Sequence, residues 1–263
     1  MEKYPQFDVQ TPVLTDMPEE VPQPPEHIPE VPPTPGSPAE TTPPALCPPE
    51  PPALTVQKNL RGNIQFLTII GQIEGHIMLP PNTKTTKYEH VIPMLAVASE
   101  CADIDGVLVI LNTAGGDVEA GLAIAELIAN LGKPTVSLVL GGGHSIGVPL
   151  ATAADYSYIA PSAAMTLHPV RMNGTVVGAP QTYAYFNKMQ ERVLSFIEKN
   201  SGIARERLWE LMMDTSKLAL DVGTILIGQE TVDEKIIDAV GGLHDATEKL
   251  YEMIRDFQNA AHE

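Results

Sequence analysis

The chain has 263 residues and a formal net charge of −17. An acidic balance excludes nucleic acid as the expected partner, since that binding rests on neutralising phosphates with Lys and Arg. No apolar run approaches the roughly 18 residues of a membrane span, and Cys47 and Cys101 have neither metal-type spacing nor the makings of a disulfide framework.

Residues 1–55 differ in kind from the rest. They hold 17 of the 25 prolines, nine acidic residues and one basic residue, Lys3. Proline lacks the amide donor and clashes with the preceding helical turn, and too few large apolar residues remain to offset the entropy of ordering. The segment reads as a disordered, acidic, proline-rich tail, either plain solvated chain or a spacer or ligand for a proline-recognising partner. Its start, "MEKYPQFDVQ", lacks the apolar core of a signal peptide, so a cytoplasmic location is expected. Residues 56–263 are long enough for one substantial core.

From residue 64 strands and helices alternate. "IQFLTII" reads as a strand, "GQIEGHIML" as a second strand or a turn into one, and "PPNTKTT" as a loop. "KYEHVIPMLAVASECA" has helical spacing, with Pro93 in a first turn or at a kink. "GVLVILN" (Gly106–Asn112) and "PTVSLVL" (Pro134–Leu140) are continuous apolar runs of the buried parallel kind. Each ends in a glycine-rich turn that opens a helix: "DVEAGLAIAELIANLG" after the first, "HSIGVPLATAAD" after the second. "YSYIA" and "AAMTLH" are short strands, and the remainder is mostly helical, led by "QTYAYFNKMQERVLSFIEKNSG" and "ARERLWELMMD". "GQETVDEKIIDAVGG" reads as a short helix and a strand before a terminal helix. Repeated β-α units of this length imply a parallel sheet with right-handed crossovers.

The two glycine turns carry the chemistry. "GGGHSIG" (Gly141–Gly147) contains G-x-S-x-G, the pattern of the exposed serine of α/β-hydrolases. Strand ends of a parallel sheet share one ligand-binding edge, and amides at such turns are donors suited to an oxyanion. Ser145 is thus a candidate nucleophile, with Gly116 and Ile146 as amide donors beside Gly115. A serine needs a base, and His168, ending "AAMTLH", would lie beside it on an adjacent strand. His144 is a neighbour of Ser145 in sequence, so its side chain should point elsewhere, as a lining group or a bland one. The orienting carboxylate could come from Asp214, Asp221, Asp233, Asp238, Asp155 or Asp117; Asp221, at a loop-to-strand edge, is preferred over Asp214. An α/β-hydrolase places its acid before its histidine. Here the plausible acids follow His168, so the pentapeptide match flags a serine without specifying that fold. A Ser–Lys pair would need a lysine such as Lys188 to reach Ser145.

These residues resemble the ClpP family of serine proteases over nearly all of residues 56–263. "FLTIIGQIEGH" is similar to that family's opening strands, and "VILNTAGGDVEAGLAIAELI" to its "YINSPGGVITAGMSIYDTM" segment. "GGGHSIG" resembles "GQAASMG", "MTLHP" resembles "VMIHQP", and "GQETVDEKIIDAVGG" resembles "APEAVEYGLVDSI". The resemblance implies an α/β superhelix of β-β-α units shared with the crotonases, a protruding helical handle around residues 181–200, and ring-shaped homo-oligomers. It implies a Ser145–His168–Asp221 triad hydrolysing peptides or unfolded protein, an oxyanion hole at Gly116 and Ile146, and no cofactor. The family's "DRFLSA" region is replaced by "DVGTILIG", "NTAGG" lacks the proline of "NSPGG", "LPPNTKTTKY" is an insertion, and the proline-rich tail is an addition. These features are closer to the ClpP-related translocation-enhancing proteins of spore-forming bacteria. That placement implies a part in preprotein export or quality control, with an ATPase or the export machinery as partner. The rival readings are a silent ClpP-like assembly acting as an export adaptor and, behind it, crotonase-like acyl-CoA chemistry.

Overall fold

The computed structural model describes residues 55–57, 60–171, 178–216 and 222–260. The expectation of a disordered tail falls, Thr55 aside, outside them, as does Asp221. The described residues all belong to one unit, Pro49–Glu263.

A mainly parallel sheet runs through the unit. Its strands are β1 (Thr55–Gln57), β2 (Ile64–Glu74), β3 (Thr85–Lys87), β4 (Gly106–Gly116), β5 (Thr135–Gly143), β6 (Tyr156–Ile159), β7 (Ala164–Leu167), β8 (Thr224–Ile227) and β9 (Ala239–Val240). The main path is β1-β2-β4-β5-β6-β9, with β2, β4, β5, β6 and β9 parallel and β1 antiparallel at the edge. The crossovers are helical, as alternating apolar runs and amphipathic segments require. The helices are α1 (Tyr88–Glu100), α2 (Val118–Ala129), α3 (Gly147–Thr152), α4 (Ala179–Lys199), α5 (Arg205–Met213), α6 (Gln229–Asp233) and α7 (Leu243–Ala260), of which α1, α2 and α3 connect successive parallel strands of the main path.

Three differences from the sequence reading have physical causes. "IQFLTII" and "GQIE" form one strand, because Gly71 hosts a register shift against β4 and the chain continues without turning. The segment expected as a loop after Pro81 returns to the sheet, where β3 pairs in parallel with Gln72–Glu74. The helix after "GGGHS" is only six residues long. Pro93 lies inside α1, which continues through it. The carbonyls of Ala98 and Cys101 at the end of α1 accept from Lys133 Nζ at 2.8 and 2.6 Å, and that of Cys101 also from Ile104 N at 3.1 Å.

Apolar packing occupies both faces of the sheet. Leu67, Ile69, Val107, Val109, Leu111 and Val139 pack with the α1, α2 and α3 layer. On the other face Ile64, Leu108, Val136 and Leu138 meet Ala246, Leu250, Tyr251 and Ile254 of α7. That alternation along β4 is the period-2 pattern of a strand buried on both sides. Toward its end β5 leaves the main path: Val139 pairs with Ile159 of β6, but Gly142 pairs with Ala164 of β7. β7 then pairs antiparallel with β8. This divergence opens the sheet where β5 runs into α3.

Leu250 is fully buried in the α7 face. Leu250→Ala should lower the unfolding free energy by about 2–5 kcal/mol, read as a shift in denaturation midpoint with little change in slope.

Candidate active site

Between the end of β5 and the start of α3 stand His144, Ser145 and Ile146. Ser145 has φ = +58°, a left-handed conformation that costs a non-glycine residue about 1–3 kcal/mol and clusters at functional positions. Four backbone hydrogen bonds over-determine it. Ser145 N donates to Thr166 O at 2.8 Å, His144 N to Thr113 O at 3.2 Å, Gly147 N to His144 O at 2.8 Å and Val148 N to Ser145 O at 3.0 Å. The Ile146 amide, within the same turn, has no acceptor among the described residues, although Ile146 itself is only 2% exposed. A buried amide without a partner is rare enough to need a reason.

The end of β4 faces this turn. Thr113, itself buried, donates through Oγ1 to Gly71 O at 2.6 Å and accepts there from Gly115 N at 3.0 Å. Gly115 has φ = +87°, and a Cβ on it would lie 2.6 Å from Ser145 Cβ and 3.3 Å from Ser145 Oγ. Only glycine lets β4 pass so close to the serine. Asp117 N donates to Ile73 O at 3.0 Å on the β2 side. Successive amides of a strand point to opposite edges, so the Gly116 amide faces the β5 side, where Ser145 stands. Of the three residues expected at the oxyanion site, Gly115 has its amide engaged by Thr113 and supplies clearance, whereas Gly116 and Ile146 present theirs.

His168 follows β7. Thr166, whose carbonyl holds Ser145, is two residues earlier on the same strand face, about 7 Å along the chain. The register Leu167↔Thr224 sets Gly223 against His168, and a Cβ on Gly223 would meet Leu167 O at 2.3 Å and His168 Cβ at 2.9 Å. His168 Nδ1 lies 2.7 Å from Pro169 O. A carbonyl only accepts, so Nδ1 carries the proton and Nε2 is the basic nitrogen of the neutral ring. The backbone beyond is held by buried Gln190 of α4, whose Oε1 accepts from Val170 N at 2.8 Å.

His144 points away from the serine, as expected of a sequence neighbour, and its Nδ1 meets Thr166 Oγ1 at 2.8 Å. Burial, and secondarily the charge of His168, hold its pKa below the ordinary histidine value.

Most candidate carboxylates are engaged elsewhere. Asp155 accepts from Thr135 N and Oγ1, Asp238 from Ser157 N and Oγ, and Asp117 caps α2 through Ala120 N. Asp233 accepts from Gln229 on an exposed helix face. Asp214 lies next to the region: its carbonyl accepts from Gly223 N at 2.7 Å, and its Oδ1 accepts from Ser216 N and Oγ. Lys188 is exposed on α4.

The Clp protease family profile matches residues 61–244, most of the chain. The chain belongs to the Clp protease family. It is 57% identical over 198 residues to a translocation-enhancing protein, TepA, of Halalkalibacterium halodurans, an alignment covering 75% of this chain and 77% of that one. Its fold matches a point mutant of ClpP1 from Listeria monocytogenes with a TM-score of 0.55 at 19% identity, covering 69% of this chain and 93% of the other. Sequence reasoning passed over Thr113, Thr166, Gly223 and Gln190. Thr113 stands inside "NTAGG" and Thr166 two residues before His168 on one strand face, so spacing alone could have singled out both.

Gly115→Ala should leave the far-UV circular dichroism close to wild type. It should cut fluorophosphonate labelling of Ser145 by about 100-fold or more, because displacing the serine by about an ångström is costly. A lowered His144 pKa also has a sign. The unfolded chain binds this proton at higher pH than the folded one, so stability is present above the ordinary histidine value of about 6.5 and is lost as pH falls through the folded value. His144→Asn should therefore flatten the fall of the melting temperature on acidification below about pH 6.5.

Proposed function

We propose that the protein is a serine peptidase of the Clp type. The observation that carries the reading is the left-handed Ser145 beside the unclaimed amide of Ile146. Ser145 Oγ attacks the carbonyl carbon of a peptide bond while His168 Nε2 takes the hydroxyl proton. The oxygen that becomes negative is met by the Ile146 and Gly116 amides, an arrangement that typically supplies several kcal/mol of transition-state stabilisation. His168 then returns the proton to the departing amine, and water releases the acyl group by the same route in reverse. Asp221, two residues before the glycine that abuts His168, is the carboxylate that supports the imidazolium. Asp214 is disfavoured by the commitment of its Oδ1 to Ser216.

The substrate class is peptide or unfolded protein, handled by a homo-oligomeric ring in the cytoplasm. The name of its 57% identical relative supports a part in translocation, which we read as assistance to preprotein export or quality control with an ATPase or export component as partner. The acidic, proline-rich residues 1–55 are assigned to a tail and residues 56–263 to the peptidase domain.

A second reading, a catalytically silent assembly acting as an export adaptor, is favoured by one observation, the Pro169 carbonyl at His168 Nδ1. A carbonyl fixes the tautomer but brings no full charge to support the imidazolium. Activity-based labelling separates the two. Ser145→Ala should abolish fluorophosphonate labelling and peptide hydrolysis without changing sedimentation, and Asp221→Asn should reduce turnover by about 100- to 10,000-fold. Labelling that persists in Ser145→Ala would overturn the nucleophile assignment, and a wild type inert to the probe would favour the adaptor.

A further inference from the structure

Thr166 receives two bonds from consecutive residues of the nucleophile turn. Its carbonyl accepts from Ser145 N at 2.8 Å, and its hydroxyl meets His144 Nδ1 at 2.8 Å. The His144 amide is fixed in turn to Thr113 O at 3.2 Å. The imidazole also lies over the β5 backbone: a Cβ on Gly142 would come within 2.7 Å of His144 Cδ2 and Nε2. The ring thus occupies space left open by Gly142 and reaches across from β5 to β7, on the strand face that continues to His168.

We propose that His144 is a positioning residue for the Ser145–His168 pair, its imidazole and the Ser145 amide together clamping the turn to Thr166. One bond through the backbone fixes a distance but permits the turn to pivot about it. A second, made by the preceding side chain to the same residue, removes that rotation. Left-handed Ser145 is costly, and without a second anchor the turn can relax and swing Oγ away from His168 Nε2. A threonine hydroxyl both donates and accepts, so the clamp holds with either nitrogen of the neutral His144 ring protonated. The family segment "GQAASMG" has alanine where His144 stands, so this chain carries a brace that segment lacks. The inference rests on the peptidase reading for its kinetic consequence but not for its structural one.

The test uses the full-length protein and a threonine pair. Thr166→Val keeps the shape and β-branching without the hydroxyl, and Thr166→Ser keeps the hydroxyl. With the wild type labelled by a fluorophosphonate, Thr166→Val and His144→Ala should each lower the second-order labelling rate by about 10- to 100-fold. On a peptide substrate the loss should fall in kcat with KM nearly unchanged, and Thr166→Ser should restore most of it. Equal rates in all four proteins, or a Thr166→Ser as slow as Thr166→Val, would overturn the clamp. If the wild type is not labelled, the peptidase reading fails and hydrogen exchange decides the clamp. Faster exchange of residues 141–147 in Thr166→Val but not in Thr166→Ser upholds it, and unchanged exchange refutes it.

Discussion

The hydrogen bond from the Ser145 amide to the Thr166 carbonyl is the constraint from which the site is built. It joins the turn that exposes the serine to the strand that ends in the histidine. β5 can supply it only because it abandons β6 after Val139 and takes up β7 at Gly142. On its other edge β5 keeps β4 as far as Gly143, which pairs with Thr113. The fork in the sheet is therefore the fold's contribution to the chemistry, and the rigid packing on both faces keeps it open in one geometry.

Holding a serine at φ = +58° costs free energy that must come from elsewhere. Thr113 shows where part of it is found. Its carbonyl takes the His144 amide, and its hydroxyl joins the irregular Gly71 of β2 to the Gly115 amide of β4. One buried residue thus links three strands at the level where all of them depart from regular geometry. Irregularities placed side by side satisfy one another's polar groups, which scattered ones could not do at comparable burial. The Ile146 amide, without an acceptor among the described residues, is one of the two donors assigned to the oxyanion in the proposed mechanism.

How legible this was depends on the range of the forces involved. Local ones were readable: the buried strands β4 and β5 and the long helix α4 follow from periodicity and turn chemistry. The serine and the histidine stood out because glycine, serine and histidine at strand ends are uncommon in a plain core. Long-range pairing was not readable. Nothing in "IQFLTIIGQIE" announces that one strand runs on through Gly71 while β4 takes up the extra residue, Ala114, since the shift exists only relative to β4. Nor does "TTK" announce a parallel partner in Gln72–Glu74. His144 was set aside as a bland neighbour of the serine, on the correct ground that its side chain must point elsewhere. What it points at, Thr166, lies 22 residues away.

The charge around His168 decides how strong a base the site can offer. In the proposed mechanism, proton transfer from Ser145 would create an imidazolium, which neutral groups support only through their dipoles. The Pro169 carbonyl at 2.7 Å is such a dipole; it selects the tautomer in which Nδ1 carries the proton and Nε2 is the basic nitrogen. His144 is kept neutral by its lowered pKa, so the second imidazole adds no repulsion at physiological pH. A positive charge there would oppose the very state the reaction must form. The Pro169 carbonyl thus sets the tautomer through the backbone, and in the proposed mechanism the full charge that supports the imidazolium is left to a carboxylate.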